Sequence, residues 1–304
     1  MTATFDESVR EAEPMPVADE DVERVHPLGP DSLVWKFYGD NRGLFGFQRV
    51  AGTENCIEQL AKGVEDHSVI FSDFAGRARR TVPPIMNTVY SADPHAWGRR
   101  VRDFHKPIKG TIESDGSRYH ALNPELFYWA HATFVDQVLY TTDTFIRRLS
   151  ESEKEQIFQE SKNWYAMYGV SNRNEPQTYA EFREYWESML DRFVPTKTIV
   201  YATGYLRKGV PGPKEIPAPV WKVLSTPLNA ALRTVVVGTL PPQMRDVCEL
   251  DWTPKQQKRF DRFTAIMRGL NPVINRLPVR WLYTKYAAQG WERTGVDPRR
   301  IHNG

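Results

Sequence analysis

NPELFYWAHATFVDQVLYTTDTFIRRL, residues Asn123–Leu149, is the stretch on which the fold class turns. It opens with an asparagine, whose side chain can accept from the free amides of a helix start. Proline follows at the first helical position, where its missing N–H costs nothing, and Glu125 sits in the first turn beside the positive end of the helix dipole. Behind this start Phe127, His131, Phe134 and Val138 recur at spacings of four, three and four. That period predicts a long amphipathic helix.

The same punctuation repeats along the chain. Asp93-Pro94 precedes HAWGRRVRDFHKPIKG, and Thr253-Pro254 with Gln256 opens a helix running to Leu270. Ser150 with Glu153 and Thr178 with Glu181 have the spacing of a capping box. Thr53 stands before ENCIEQLAKGVEDHS, where Ile57, Leu60, Ala61 and Val64 mark a helical face. Strand signals are confined to Thr111–His120, a hairpin around Asp115-Gly116, and to Thr198–Tyr201. The expectation is an all-α protein, a single globular helical domain over residues 30–304. A disordered acidic arm precedes it over residues 1–25, where eight acids face only Arg10 and Arg24. Lys208–Pro219 is rich in proline and glycine and reads as a loop, or as a seam before a C-terminal helical part at about 214–304.

Bulk properties remove several classes of function. A net charge of +2 argues against nucleic-acid binding, which calls for a strongly basic face. The longest apolar runs, such as Val235–Val237, fall far short of the roughly 20 residues of a transmembrane span. Cys56 and Cys248 are remote in sequence and lack a CxxC partner, so free thiols in a reducing cytoplasm are expected. The N-terminus shows neither the basic nor the apolar region of a secretory signal. With 9 Trp, 13 Tyr and 15 Phe, the core or a pocket should be rich in aromatic rings.

Among seven histidines, His105 and His131 lie on helical apolar stripes. His105 flanks Trp97, Val101, Phe104 and Ile108, with Lys109 one turn further on. An iron porphyrin needs one neutral imidazole on a rigid element and a cation for a propionate, and this pattern offers both. It is equally the pattern of a half-buried structural histidine near a helix C-terminus. His131, with Phe127, Phe134 and Val138, suits a hydrogen-bonded core residue; His67, after Glu65-Asp66, suits a cap. In FAGRARRT, Phe74–Thr81, residues Arg77, Arg80 and Thr81 share overlapping helical faces just before Pro83-Pro84, where the helix should kink or restart. They could bind an anion or polarise dioxygen, or form a solvated basic face. No dinucleotide fingerprint, P-loop, HExxH, GxSxG or paired ExxH motif is present. The residues alone reach a helical domain with two buried histidines, not a reaction.

Five segments in order carry a resemblance: GVEDHS (Gly63–Ser68), GRARRT (Gly76–Thr81), HKPIKGT (His105–Thr111), YHALNPELFYWAHATFVD (Tyr119–Asp136) and YAEFREYWESML (Tyr179–Leu190). Over about 63–193 the chain resembles the catalytic domain of latex-clearing proteins and MpaB-type oxygenases. The resemblance implies a helical fold and b-type haem, with iron held by a histidine followed four residues later by a basic residue. These positions are His105 and Lys109, where the family more often has arginine. It implies a distal side formed by Arg77, Arg80 and Thr81. Arg80 stands where latex-clearing proteins have a lysine, and arginine does not readily lose a proton to become a ligand. His131 becomes a cofactor-pocket residue, and the implied partners are dioxygen and an apolar small molecule or polymer. Other readings are a haem protein that does not oxygenate (peroxidase-like, carrier or sensor), a cofactor-free helical binding module, and peripheral membrane association through Pro227–Leu240 and Leu277–Tyr286, which mix apolar and basic residues.

Overall fold

Each helix start with a strong cap forms where its sequence requires. Asn123 Oδ1 accepts from the amides of Glu125 and Leu126 and opens helix α7 (Pro124–Thr141). Asp93 opens α6 (Pro94–His105) by accepting from Ala96 N. Ser150 and Glu153 complete a capping box on α8 (Glu151–Ala166), as do Thr253 and Gln256 on α14 (Pro254–Gly269). Thr178 caps α9 (Tyr179–Leu190), while Glu181 reaches past it to Gln177 N.

The computed structural model describes residues 17–171, 175–213 and 215–301. Among the described residues helix predominates and the sheet is one hairpin, so the fold is all-α. In chain order the helices are α1 (Asp19–Glu23), α2 (Leu33–Tyr38), α3 (Phe47–Asn55), α4 (Glu58–His67), α5 (Phe74–Tyr90) and α6. The hairpin β1 (Lys109–Thr111) and β2 (Arg118–His120) precedes α7, α8 and α9. Then come α10 (Lys197–Lys208), α11 (Ala218–Leu224), α12 (Thr226–Leu232), α13 (Pro242–Val247), α14, α15 (Asn271–Ile274), α16 (Val279–Leu282), α17 (Lys285–Thr294) and α18 (Pro298–Ile301). One apolar core runs through all of this. It joins Trp35 and Trp129 to Leu240, Met244, Leu282 and Trp291, so the C-terminal helices belong to the same domain. Cys56 and Cys248 are free, as expected, yet the fold seats both in this core with their thiols hydrogen-bonded to each other.

The centre of the fold is α7, and it is buried almost all round instead of amphipathic. Leu126, Phe127, Tyr128, Trp129, His131, Ala132, Thr133, Val135, Asp136, Val138 and Leu139 are all buried. Apolar surface on every face of a helix finds stable burial only at the centre of a bundle. Its polar residues must therefore find partners inside the protein. Asp136 takes a two-pronged bond from Arg49 on α3, with Nε–Oδ2 at 2.5 Å and Nη2–Oδ1 at 3.0 Å. The third guanidinium nitrogen donates to the Thr239 carbonyl at 2.7 Å, and the Tyr140 ring lies 4.1 Å under the cation.

Several expectations are corrected. Thr53 does not open a helix. It lies inside α3, where its hydroxyl bonds back to the Arg49 carbonyl, and the chain breaks at Cys56–Ile57 before α4. Pro83 and Pro84 neither break nor restart α5, which runs from Phe74 to Tyr90. The preceding turn, Arg79–Thr81, lies at the surface, where water can take the released carbonyls. Thr198–Tyr201 is helical, within α10, because Thr196 caps it and the β-branched pair points into the core. The hairpin is present, its strands pairing Lys109 with His120 and Thr111 with Arg118. Where the acidic arm falls within the described residues, Asp19–Glu23 form α1: Val22 is buried, Asp19 pairs with Arg102 at 2.7 Å, and Glu23 pairs with Arg99. Composition signals disorder only while no partner is in reach, and here α6 presents two arginines to these acids. Residues 1–16 of the expected arm lie outside the described residues.

Removing one partner of the buried Arg49–Asp136 pair leaves an uncompensated charge in the core. Asp136→Ala should lower the unfolding free energy by about 3–5 kcal/mol. Urea unfolding followed by circular dichroism measures this, and a loss below about 1 kcal/mol would show that the pair does not pin α3 to α7.

Candidate functional site

His105 is the last residue of α6 and stands half-buried at the edge of that helix's inward stripe. The buried positions are Pro94, Gly98, Val101 and Arg102; with His105 the spacing 94–98–101–105 is four, three and four. Phe104, assigned to the stripe from sequence, is 71% exposed. Gly98 fixes the packing: a Cβ there would stand 2.0 Å from the Met167 carbonyl oxygen. Only glycine allows α6 this close to the end of α8.

The imidazole is oriented by its own helix. His105 Nδ1 donates to the Val101 carbonyl at 2.7 Å, and the Phe127 ring stands edge-on at 5.6 Å. Engaging Nδ1–H fixes the tautomer and leaves Nε2 as a bare lone pair. Burial holds the ring below its usual pKa; the Val101 bond opposes that shift, and the Arg77 cation reinforces it. A neutral imidazole with one nitrogen engaged by a carbonyl is the chemistry of a metal ligand, and these residues fit an iron porphyrin held through one histidine. No cluster of three or more His, Cys, Asp or Glu suited to a metal occurs among the described residues. A ligand shell built of protein alone is thus not on offer there.

Arg77, on α5, is half-buried and electrostatically coupled to both His105 and Glu54. Glu54 is the residue that sequence reasoning missed. It lies near the end of α3 and reaches Thr133 on α7. Thr133 Oγ1 lies 3.0 Å from Glu54 Oε1 and 2.7 Å from the Ala130 carbonyl oxygen. The hydroxyl has one proton, which it can donate to the Glu54 carboxylate or to the Ala130 carbonyl. Burial pushes the Glu54 carboxyl up to about 7, against the opposing pull of Arg77 and Thr133. Around this core stand Tyr38 and Tyr168, both raised chiefly by burial and further by Glu54. Trp164 donates to Thr88 Oγ1 at 2.7 Å, and Phe134 packs on Trp164.

Of the other expected site residues, Arg80, Thr81 and Lys109 lie at the surface, and His131 packs on the Tyr168 and Trp164 rings. Arg80 is exposed and paired with Asp73 at 3.5 Å, and Thr81 is exposed one turn beyond Arg77. Lys109 is not one helical turn after His105. The helix ends at His105, Pro107 follows, and Lys109 lies exposed in β1, where its carbonyl contacts His67 Nε2 at 3.2 Å. His131 is enclosed by Trp164, Tyr165, Tyr168 and Tyr128, with ring centroids at 4.9–6.3 Å. Its Nε2 meets the Ser161 carbonyl at 3.1 Å, Nδ1 has no partner, and burial lowers its pKa to about 3. That is a core histidine which orients aromatic packing. A cavity of about 690 Å³ opens between the end of α10 and α11–α12 and shares no lining residue with the His105 cluster.

Against known proteins, residues 35–269 match the family model described as the catalytic domain of the ER-bound oxygenase MpaB/B′ and rubber oxygenase. Two curated relatives, an uncharacterised protein of Mycobacterium tuberculosis and one of Mycobacterium bovis, are each 24% identical over 182 residues. That alignment spans 60% of this chain and 68% of theirs. No solved structure matches.

The raised Glu54 pKa has a pH signature. Unfolded, this carboxyl titrates near its ordinary 4.5, and folded near 7. Between those values the folded chain binds more protons, so its stability falls as pH rises from 4.5 to 7 and is flat above. The contribution is about 2–3 kcal/mol after allowance for partial exposure. Glu54→Gln should remove this slope, and urea midpoints measured from pH 4.5 to 8 test it. An unchanged slope would count against a buried, protonatable Glu54.

Proposed function

The chain belongs to the catalytic-domain family of the ER-bound oxygenase MpaB and rubber oxygenase, and from that premise we propose that it is a haem b-dependent oxygenase acting with dioxygen on an apolar, isoprenoid- or lipid-like substrate. The observation that carries this reading is the His105 imidazole, kept toward its neutral form by burial with Nδ1 bonded to Val101, in the field of the Arg77 cation. His105 is the proposed axial ligand. When bound, haem b supplies the redox chemistry that activates dioxygen.

The chain's own groups supply binding, charge and proton control. Arg77 presents a fixed cation in a desolvated setting, where developing negative charge is stabilised far more than in water. Thr81 lies one turn further on the same helix and is the proposed second polar group; Arg80, held by Asp73, frames the entrance to that face. Glu54, poised near neutral pH with Thr133 as its hydrogen-bond partner, can hold a proton or release it to solvent or a bound ligand, and the Arg77 cation favours its ionised form. Phe127, Phe134, Tyr168 and Trp164 pack against one another as an aromatic wall that excludes water from this region. Lys109 is the proposed surface cation on the His105 side, reached through the hairpin and not through the helix. His131 supports the aromatic wall.

Absorption spectra of protein from haem-replete cells test the reading. The wild type should show a Soret band at about one haem per chain. His105→Ala should lose it with helix content unchanged. Arg77→Ala should keep haem and lose roughly 10²-fold in substrate-dependent oxygen consumption. His131→Ala should keep haem and lose about 1–3 kcal/mol of stability. Full haem occupancy in His105→Ala with loss in His131→Ala would transfer the ligand role to His131. Haem without any substrate-dependent oxygen uptake would favour a carrier or sensor.

A further inference from the structure

Helix α14 and the turns after it carry one long outward face. Inward, Phe260 and Thr264 are buried, Phe263 packs on Phe45 and Phe145, and Asn275 accepts from Arg42. Outward, Lys255, Arg259 and Arg262 are exposed at spacings of four and three. The same face continues with Ile266, Leu270, Val273 and Leu277, at spacings of four, three and four. Backbone bonds from Leu270 N to Ile266 O, Ile274 N to Leu270 O and Leu277 N to Ile274 O carry the helical course across the α14–α15 junction, so these side chains do share a face. With Trp281, which follows on α16, these apolar residues are 37–61% exposed. Large apolar side chains in one contiguous exposed row mark an interaction surface.

Charge identifies what that surface fits. From Trp252 to Trp291 the sequence has eight Lys or Arg and a single acid, Asp261, in a chain whose net charge is only +2. Asp261 accepts from Gln257. Among the described residues no ion pair neutralises Lys255, Arg259, Arg262 or Arg276, and Arg280 lies 6.0 Å over the Trp281 ring. A face that is basic at one end, apolar at the other and bounded by a tryptophan matches the interface of an anionic bilayer. There, cations meet lipid phosphates while apolar side chains and an indole enter the acyl boundary. No described helix is long and apolar enough to cross a membrane, so such contact would be in the plane of the surface.

We propose that the Lys255–Trp281 face docks the protein peripherally on anionic phospholipid membranes. This does not depend on haem or on the reaction proposed above. The test is co-sedimentation of the full chain with vesicles of phosphatidylcholine alone or mixed with phosphatidylglycerol. Binding should rise about tenfold or more with the anionic lipid and weaken in high salt. Both Arg259→Glu/Arg262→Glu and Val273→Asp/Leu277→Asp should reduce it by about tenfold or more. Because all four positions are exposed, unchanged circular dichroism and melting should confirm that both variants fold. Failure to bind, equal binding to neutral vesicles, or undiminished binding by both variants would overturn the proposal. So would a concentration-dependent dimer, seen by light scattering, that Val273→Asp/Leu277→Asp dissolves, since the face would then belong to a second copy.

Discussion

A helix without a solvent face is the constraint from which this structure follows. Once α7 is buried on all sides, each polar side chain on it must be answered by a neighbour. Asp136 draws Arg49 and with it α3; His131 meets the Ser161 carbonyl on α8; Gln137 donates to the Gly43 carbonyl at 3.0 Å. These bonds set the rotation and height of the surrounding helices more sharply than apolar packing does, because hydrocarbon contacts tolerate sliding and a buried charge does not. Thr133 is one of these groups. Its hydroxyl is the reason a carboxyl at the end of α3 can turn inward at all.

The candidate site is a product of the same desolvation. Burial pushes His105 down, Glu54 up and Arg77 down, each toward its neutral form. Mutual interactions then separate the roles. The Arg77 cation favours ionised Glu54 and disfavours protonated His105, so one guanidinium keeps the imidazole available as a lone-pair donor and keeps the carboxyl near its titration point. Moved into water, the same residues would be an ordinary histidine, glutamate and arginine. Their chemistry belongs to the bundle interior and not to their sequence neighbours.

Support for His105 comes partly from an unexpected quarter. The acidic segment that composition marks as disordered caps α6 through Asp19–Arg102 and Glu23–Arg99, while Gly169, at φ 64°, lets the chain turn beneath Val22 and Arg102. The His105 helix is thus held by charge at Arg99 and Arg102 and by the close packing of Gly98 against Met167. Surface ion pairs add little stability singly. Here they narrow the freedom of the helix that presents the imidazole.

Local signals were legible in the sequence because they act within a few residues. Asn123-Pro124, Asp93-Pro94, Ser150–Glu153 and Thr253–Gln256 each satisfy free helix amides on their own, so caps, helix starts and the all-α class could be read directly. His105 and Arg77 were visible as residues through ordered motifs. Tertiary structure alone decided the rest. Which face of α6 is buried depends on Gly98 meeting Met167, so Phe104 went out and His105 went in. Lys109 left the site because Pro107 ends the helical course. Glu54 entered it because α3 stops at Asn55, where its carboxyl meets Thr133, 79 residues away along the chain. Cys56 and Cys248 met for the same kind of reason. The free energy of a buried polar group is set by partners that no local window contains, whereas a cap is complete within one turn.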